Sequence, residues 1–171
     1  MDFTLYAHQN TELEYLASNR SFALFAEQGT GKTLPTLLHI LNLLKNGQIN
    51  DALIICPKAV MDSWYRDMDK FPPMYQALLR RKITVINYDL VWRRAEFMRS
   101  WGCVVLDESH FIKHRTSRRA KFILKLGTLA AYRYILTGIS MRDIFTMSIP
   151  TVMHGSVEGD RTYICAIAGI S

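Results

Sequence analysis

Lys32 and Thr33 follow a turn with glycines at 29 and 31, in the run Leu24-Phe25-Ala26-Glu27-Gln28-Gly29-Thr30-Gly31-Lys32-Thr33. Glycines at that spacing let the backbone take positive φ and approach an anion closely, so amide N–H groups can wrap a phosphate. A lysine next to them supplies a point charge for outer phosphates, and a threonine hydroxyl can ligate Mg²⁺. A helix opening at Thr33 aims the positive end of its dipole at the same anion. The phosphate-loop pattern asks for a glycine where this chain has Ala26, so the strict pattern is missed by one residue. The plainer reading is an ordinary Gly-Thr-Gly turn. Against it stand the short apolar strand before the turn and the amphipathic helix after it.

The second reactive segment is Asp107-Glu108-Ser109-His110, at the end of the apolar run Cys103-Val104-Val105-Leu106. Paired carboxylates at the C-terminal end of a buried strand lie where open parallel sheets bind ligands. Asp107 there can hold the Mg²⁺ of a nucleotide, and Glu108 can accept a proton from, or orient, the water that attacks a γ-phosphate. His110 could couple the pair to neighbouring elements. Alone, Asp-Glu-Ser could also be no more than a cap on the next helix. Other chemistry lacks its pattern. The five histidines show no His-Glu-x-x-His spacing, no Cys/His cluster has zinc spacing, and no Gly-x-Ser-x-Gly elbow occurs, so no structural metal is expected. Trp64, Trp92 and Trp101 read as packing residues.

Positioning these groups requires alternating strands and helices. The apolar runs 21–26, 52–56, 83–86, 103–106 and 132–136 predict strands, and 33–45, 60–70, 89–99 and 116–126 predict helices. Leu34, Leu37, Leu38, Leu41 and Leu44 give the helix after the glycine turn one apolar face. Phe71-Pro72-Pro73 reads as a break. This alternation predicts an α/β domain with a parallel sheet and helices on both faces, ending near residue 140. The chain of 171 residues, 49% hydrophobic and 21% charged, suits one globular domain. No signal segment is evident and no apolar run approaches the length of a membrane span. Cys56, Cys103 and Cys165 form no Cys-x-x-Cys pair and read as reduced core thiols of a cytoplasmic protein. A net charge of +6 favours an acidic partner, nucleic acid first.

In order along the chain, these segments resemble the first RecA-like domain of superfamily 2 helicases, a P-loop NTPase fold. The resemblance is strongest to the SNF2-like (SWI2/SNF2) ATPases, including bacteriophage members, which implies a phage or bacterial source. Residues 26–33 resemble that family's motif I, with Ala26 in place of its aspartate. Leu5-Tyr6-Ala7-His8-Gln9 is similar to the segment whose glutamine reads adenine. Ile54-Ile55-Cys56-Pro57-Lys58 with Trp64-x-x-Asp67 resembles motif Ia. Ile86-Asn87-Tyr88 resembles motif Ib, Asp107-Glu108-Ser109-His110 with Lys113 motif II, and Leu136-Thr137-Gly138 the start of motif III. The resemblance implies an ATP·Mg site. Gln9, Gln28, Gly29, Thr30, Gly31, Lys32 and Thr33 would hold the nucleotide, Thr33 and Asp107 the metal, and Lys32, Asp107 and Glu108 would carry hydrolysis. Lys58 and Tyr88 would touch the phosphates of a double-stranded DNA partner.

Between Lys113 and Lys125 six basic residues occur with no acid, and Arg118 and Lys121 share a helix face. That face is a DNA contact or a merely solvated one. Arg80-Arg81-Lys82 and Arg93-Arg94 read as surface charge. Beyond Gly138 the chain reads Ile139-Ser140 where the family has Thr-Pro, and residues 141–171 match nothing in it. This points to a truncation or frame change near 139, or to a diverged terminus. The family's second RecA-like domain, in cis or in trans, is expected to be needed for turnover. The function implied is the ATP-binding motor domain of a DNA-dependent ATPase and translocase. The alternatives are a nucleotide- and DNA-binding fragment without hydrolysis, or the motor of another superfamily 2 ATPase such as a restriction-system subunit. Location in the cytoplasm, the host's if phage-encoded, follows from the same resemblance.

Overall fold

The computed structural model describes residues 5–25, 29–108 and 117–138, and the backbone of 151–156 and 163–167. Gln28, His110 and Lys113 lie outside the described residues. The chain forms α1 (Ala7–Ser18), β1 (Ser21–Phe25), α2 (Thr33–Lys45), β2 (Ala52–Cys56), α3 (Met61–Met68), α4 (Pro73–Lys82) and β3 (Ile83–Asn87). There follow α5 (Tyr88–Val91), β4 (Trp101–Asp107), α6 (Arg118–Thr128), β5 (Ala130–Thr137), β6 (Thr151–Ser156) and β7 (Tyr163–Ile167).

The strands make one seven-stranded sheet in the order β3-β2-β4-β5-β1-β7-β6. The pairs β3–β2, β2–β4, β4–β5 and β5–β1 are all parallel, and β7 then pairs β1 antiparallel. The segment 163–167, beyond the reach of the family resemblance, thus pairs with β1. In β2, Ala52, Ile54 and Cys56 enter a core with α1 to α4, whereas Leu53 and Ile55 enter a second core with Val91, Trp101 and Ile123. Side chains alternate across a strand, so a strand buried on both faces must be apolar throughout, as 52–56 is. Each fully buried Leu or Ile here contributes about 2 kcal/mol. No helix among the described residues is long and apolar enough to cross a membrane. Cys56 and Cys103 are free and buried, and burial pushes the Cys56 thiol up to about 12.

The structure departs from the sequence expectation in three helices. Residues 89–99 form one helical turn and a short 3₁₀ segment at Ala95–Phe97, not a continuous helix. Asn87 Oδ1 accepts from the amides of Asp89 and Leu90 at 3.1 and 3.0 Å and starts α5. Val91 and Phe97 both bury in the second core, and a continuous helix would set them on different faces. Helix α4 was read as a break because of Phe71-Pro72-Pro73. Pro73 instead takes the first helical position, where the missing N–H costs nothing. Helix α1 carries no apolar stripe, since its buried residues are Gln9, Glu12 and Leu16.

One buried polar contact ties α1 and α2 to the sheet. His39 Nε2 lies 2.8 Å from the Tyr134 hydroxyl, which donates to the carbonyl of Asn19 at 3.0 Å. Burial lowers the His39 pKa from 6.5 to about 4. Between those values the unfolded chain binds a proton that the folded chain does not, so stability falls as pH drops through that window. Urea unfolding of the wild type should therefore lose about 2 kcal/mol more between pH 7.5 and pH 5 than His39→Gln does. Equal losses would show that His39 is not held neutral.

Candidate nucleotide-binding cleft

Because β1, β4 and β5 run parallel, the turns after β1 and β4 leave the same edge of the sheet. β5 lies between them, with Phe25 level with Thr137 and Asp107 level with Leu136. Gly29, Gly31, Lys32 and Thr33 on one side and Asp107 and Glu108 on the other line one cleft of about 520 Å³. Its third wall is Pro57, Val60, Ser63 and Trp64, from the end of β2 and from α3.

Gly29 and Gly31 have φ of 87° and 77°, conformations that side chains rarely take. A Cβ at Gly29 would meet nothing, but one at Gly31 would come within 2.7 Å of Gln9 Nε2. Helix α1 grips this turn. Gln9 Nε2 donates to the Gly31 carbonyl at 3.2 Å, Gln9 Oε1 accepts from the Tyr6 amide at 3.1 Å, and His8 Nε2 lies 3.0 Å from the Thr30 carbonyl. The side-chain amide of Gln9, 5% exposed, thus bonds to the turn and to its own chain. This explains the polar buried face of α1, a signal that hydrophobic periodicity could not carry.

Lys32 is 8% exposed. Burial lowers its pKa, against the opposing fields of Glu108, Asp107 and Glu12. Asp107 is pushed up by burial, held back by a hydrogen bond from Trp64, and pushed up further by Glu108 beside it. The indole Nε1 of Trp64 donates to Asp107 Oδ2 at 2.9 Å, and the Tyr88 hydroxyl donates to the Asp107 carbonyl at 2.8 Å. Glu108 has φ of 52°, the left-handed region, which costs a residue of this kind about 1 kcal/mol or more. Such strain persists only where the surroundings enforce it, and it gathers at functional sites. Between the two loops, Thr137 buries its Oγ1, which has no hydrogen-bond partner among the described residues. Trp64, read from sequence as a packing residue within the segment that resembles motif Ia, lines the cleft, and Glu12 was not singled out from the sequence.

Tyr88 does not face outward. It is 2% exposed and its hydroxyl is bound to Asp107, so the nucleic-acid contact expected of it is corrected to a contact with the acidic turn. Lys58, Arg118 and Lys121 are exposed, as surface contacts require. Ser117 Oγ accepts from the Ala120 amide at 3.2 Å and starts α6, and Arg119 pairs with Asp89 at 3.0 Å.

The cleft suits a metal-chelated triphosphate. Thr33 and Asp107 present hard oxygens, and Mg²⁺ on a nucleotide needs only one or two protein ligands besides the phosphates. No group of three or more His, Cys, Asp or Glu able to hold a metal by itself occurs among the described residues.

Comparison with known proteins decides the family. The family model of the SNF2-related domain matches residues 8–79, from the helix that grips the glycine turn into α4. Residues 8–79 are an SNF2-related domain. A relative in Arabidopsis thaliana named "Probable ATP-dependent DNA helicase CHR12" is 30% identical over 165 residues, covering 81% of this chain and 15% of that protein. "Helicase swr-1" of Neurospora crassa is 28% identical over 169 residues, covering 84% of this chain and 9% of its own length. The fold of the chain is that of the solved "Sulfolobus solfataricus SWI2/SNF2 ATPase core in complex with dsDNA", a RecA-like architecture. The TM-score is 0.73 at 22% identity, over 85% of this chain and 34% of that one. The chain thus spans a small part of the curated relatives it matches and about a third of the solved ATPase core.

Proposed function

We propose that this chain is the first RecA-like half of an ATP-driven motor that moves on double-stranded DNA. The common cleft of the glycine turn and the acidic pair carries this reading, because neither segment could act on a triphosphate without the other. In it, the amides of residues 29–33 and the Lys32 ammonium bind the β- and γ-phosphates, helped by the N-terminus of α2. Thr30 belongs to the turn around them, Gln28 keeps the phosphate role that its place in the sequence motif implies, and Gln9 reads the adenine edge while it braces Gly31. Mg²⁺, held by Thr33 and Asp107, would neutralise charge that develops on the transferring phosphate. Glu108 orients the attacking water and takes its proton.

Turnover in this reading needs a second RecA-like domain, in cis or in trans, that closes over the nucleotide and supplies an arginine. Such a group contributes roughly 10³–10⁵ in rate. Lys58, Arg118 and Lys121 would contact backbone phosphates, fixing position without reading sequence. Double-stranded DNA as partner draws on the archaeal core solved with it and on the positive charge of this chain.

Calorimetry on the chain tests the core of this. Mg·ATP should bind one to one, and no heat beyond dilution would overturn the reading. Duplex DNA should bind with an affinity that falls steeply as salt rises and ignores sequence. Binding that is salt-insensitive or sequence-selective would remove DNA from the proposal while leaving the nucleotide site intact.

A further inference from the structure

We infer that Trp64 is a positioning residue for the metal-side carboxylate, acting through the indole N–H that meets Asp107 Oδ2 at 2.9 Å. This rests on the nucleotide reading above and adds a residue to it. Trp64 is 1% exposed and stands in α3, on the third wall of the cleft. The indole N–H is a donor only, and the acceptor it meets there is the Asp107 carboxylate.

Asp107 ends β4, where its backbone is fixed by pairing with β5 and by the Tyr88 hydroxyl on its carbonyl. Its side chain keeps rotational freedom about χ1 and χ2 unless something holds the carboxylate. The indole occupies one oxygen at ordinary hydrogen-bond length and so selects one orientation. An outer partner of this kind tunes a metal ligand, and its loss typically weakens metal affinity 10- to 100-fold. The ring also stacks bulk against the cleft without exposing itself, so one residue both closes the wall and aims the ligand.

Trp64→Phe removes the N–H and keeps most of the ring. It should raise the Mg²⁺ concentration needed for half-maximal ATP retention by roughly tenfold or more, whereas ATP binding measured in excess EDTA stays as in the wild type. A purely structural role would weaken both alike, and that result overturns the inference. Asp107→Asn separates the two levels. If it binds Mg·ATP with wild-type metal dependence, the nucleotide reading fails and this inference with it. If Asp107→Asn loses that dependence while Trp64→Phe keeps it, the inference alone fails.

Should Trp64→Phe not fold, the wild-type chain labelled with ¹⁵N gives the answer. Its three tryptophan indole N–H signals can be sorted by Trp92→Phe and Trp101→Phe. The Trp64 signal should shift when Mg²⁺ is added to the ATP-bound chain and stay put when ATP is added with EDTA. A Trp64 signal indifferent to Mg²⁺ overturns the inference.

Discussion

Lys32→Met should weaken Mg·ATP binding by on the order of 100-fold or more, because it deletes the cation that meets the outer phosphates while keeping the aliphatic stem. Lys32 is 8% exposed, in a cleft lined also by Asp107 and Glu108. There, a charge-assisted contact is shielded less by water than at the surface. The ammonium also balances the carboxylates around it when no nucleotide is bound, so the variant should be checked for folding by circular dichroism before titration. Calorimetry at matched Mg²⁺ then reads the affinity. A value within about threefold of the wild type would mean that the phosphates lie elsewhere.

Glu108→Gln should give the opposite split. Mg·ATP affinity stays close to the wild type, while hydrolysis falls by roughly 10²–10⁴, the range a positioned base contributes. Gln occupies nearly the same volume and must accept the same left-handed backbone at φ 52°, so the substitution isolates the charge. These 171 residues by themselves should turn over slowly, well below about 1 s⁻¹ even with duplex DNA, because the proposed mechanism draws its arginine from a second domain. The comparison is therefore made under single-turnover conditions, with protein in excess over ATP and phosphate release followed for hours. Steady-state rates of order 1 s⁻¹ that Glu108→Gln abolishes would show that one domain suffices. Equal single-turnover rates for the two proteins would remove Glu108 from the chemistry.

Much of the sheet was legible because its signals are local. β2 begins and ends where the apolar run 52–56 does, and α2 spans 33–45 as the leucine spacing indicated. Segments failed where tertiary contacts overrode local pattern. Helix α1 buries Gln9 and Glu12, Gln9 against the glycine turn, so it shows no apolar stripe to read. The stretch after Asn87 looked helical from its composition, yet the second core draws in both Val91 and Phe97 and breaks it. Tyr88 sits in a segment that resembles a DNA contact, and only its burial against Asp107 shows which way it turns.

By itself the sequence determined the chemistry available. Glycines at 29 and 31, the Lys-Thr pair after them and two acids at a strand end are fixed by backbone freedom, charge and spacing over a few residues. The tertiary structure alone decided their assembly. It set β5 between the two loops, turned Tyr88 inward, and carried the Trp64 indole to a carboxylate 43 positions away. Those are contacts between distant parts of the chain, made when strands pair and cores close. A short window of residues holds no record of them, because which side chains meet depends on how the whole sheet is ordered.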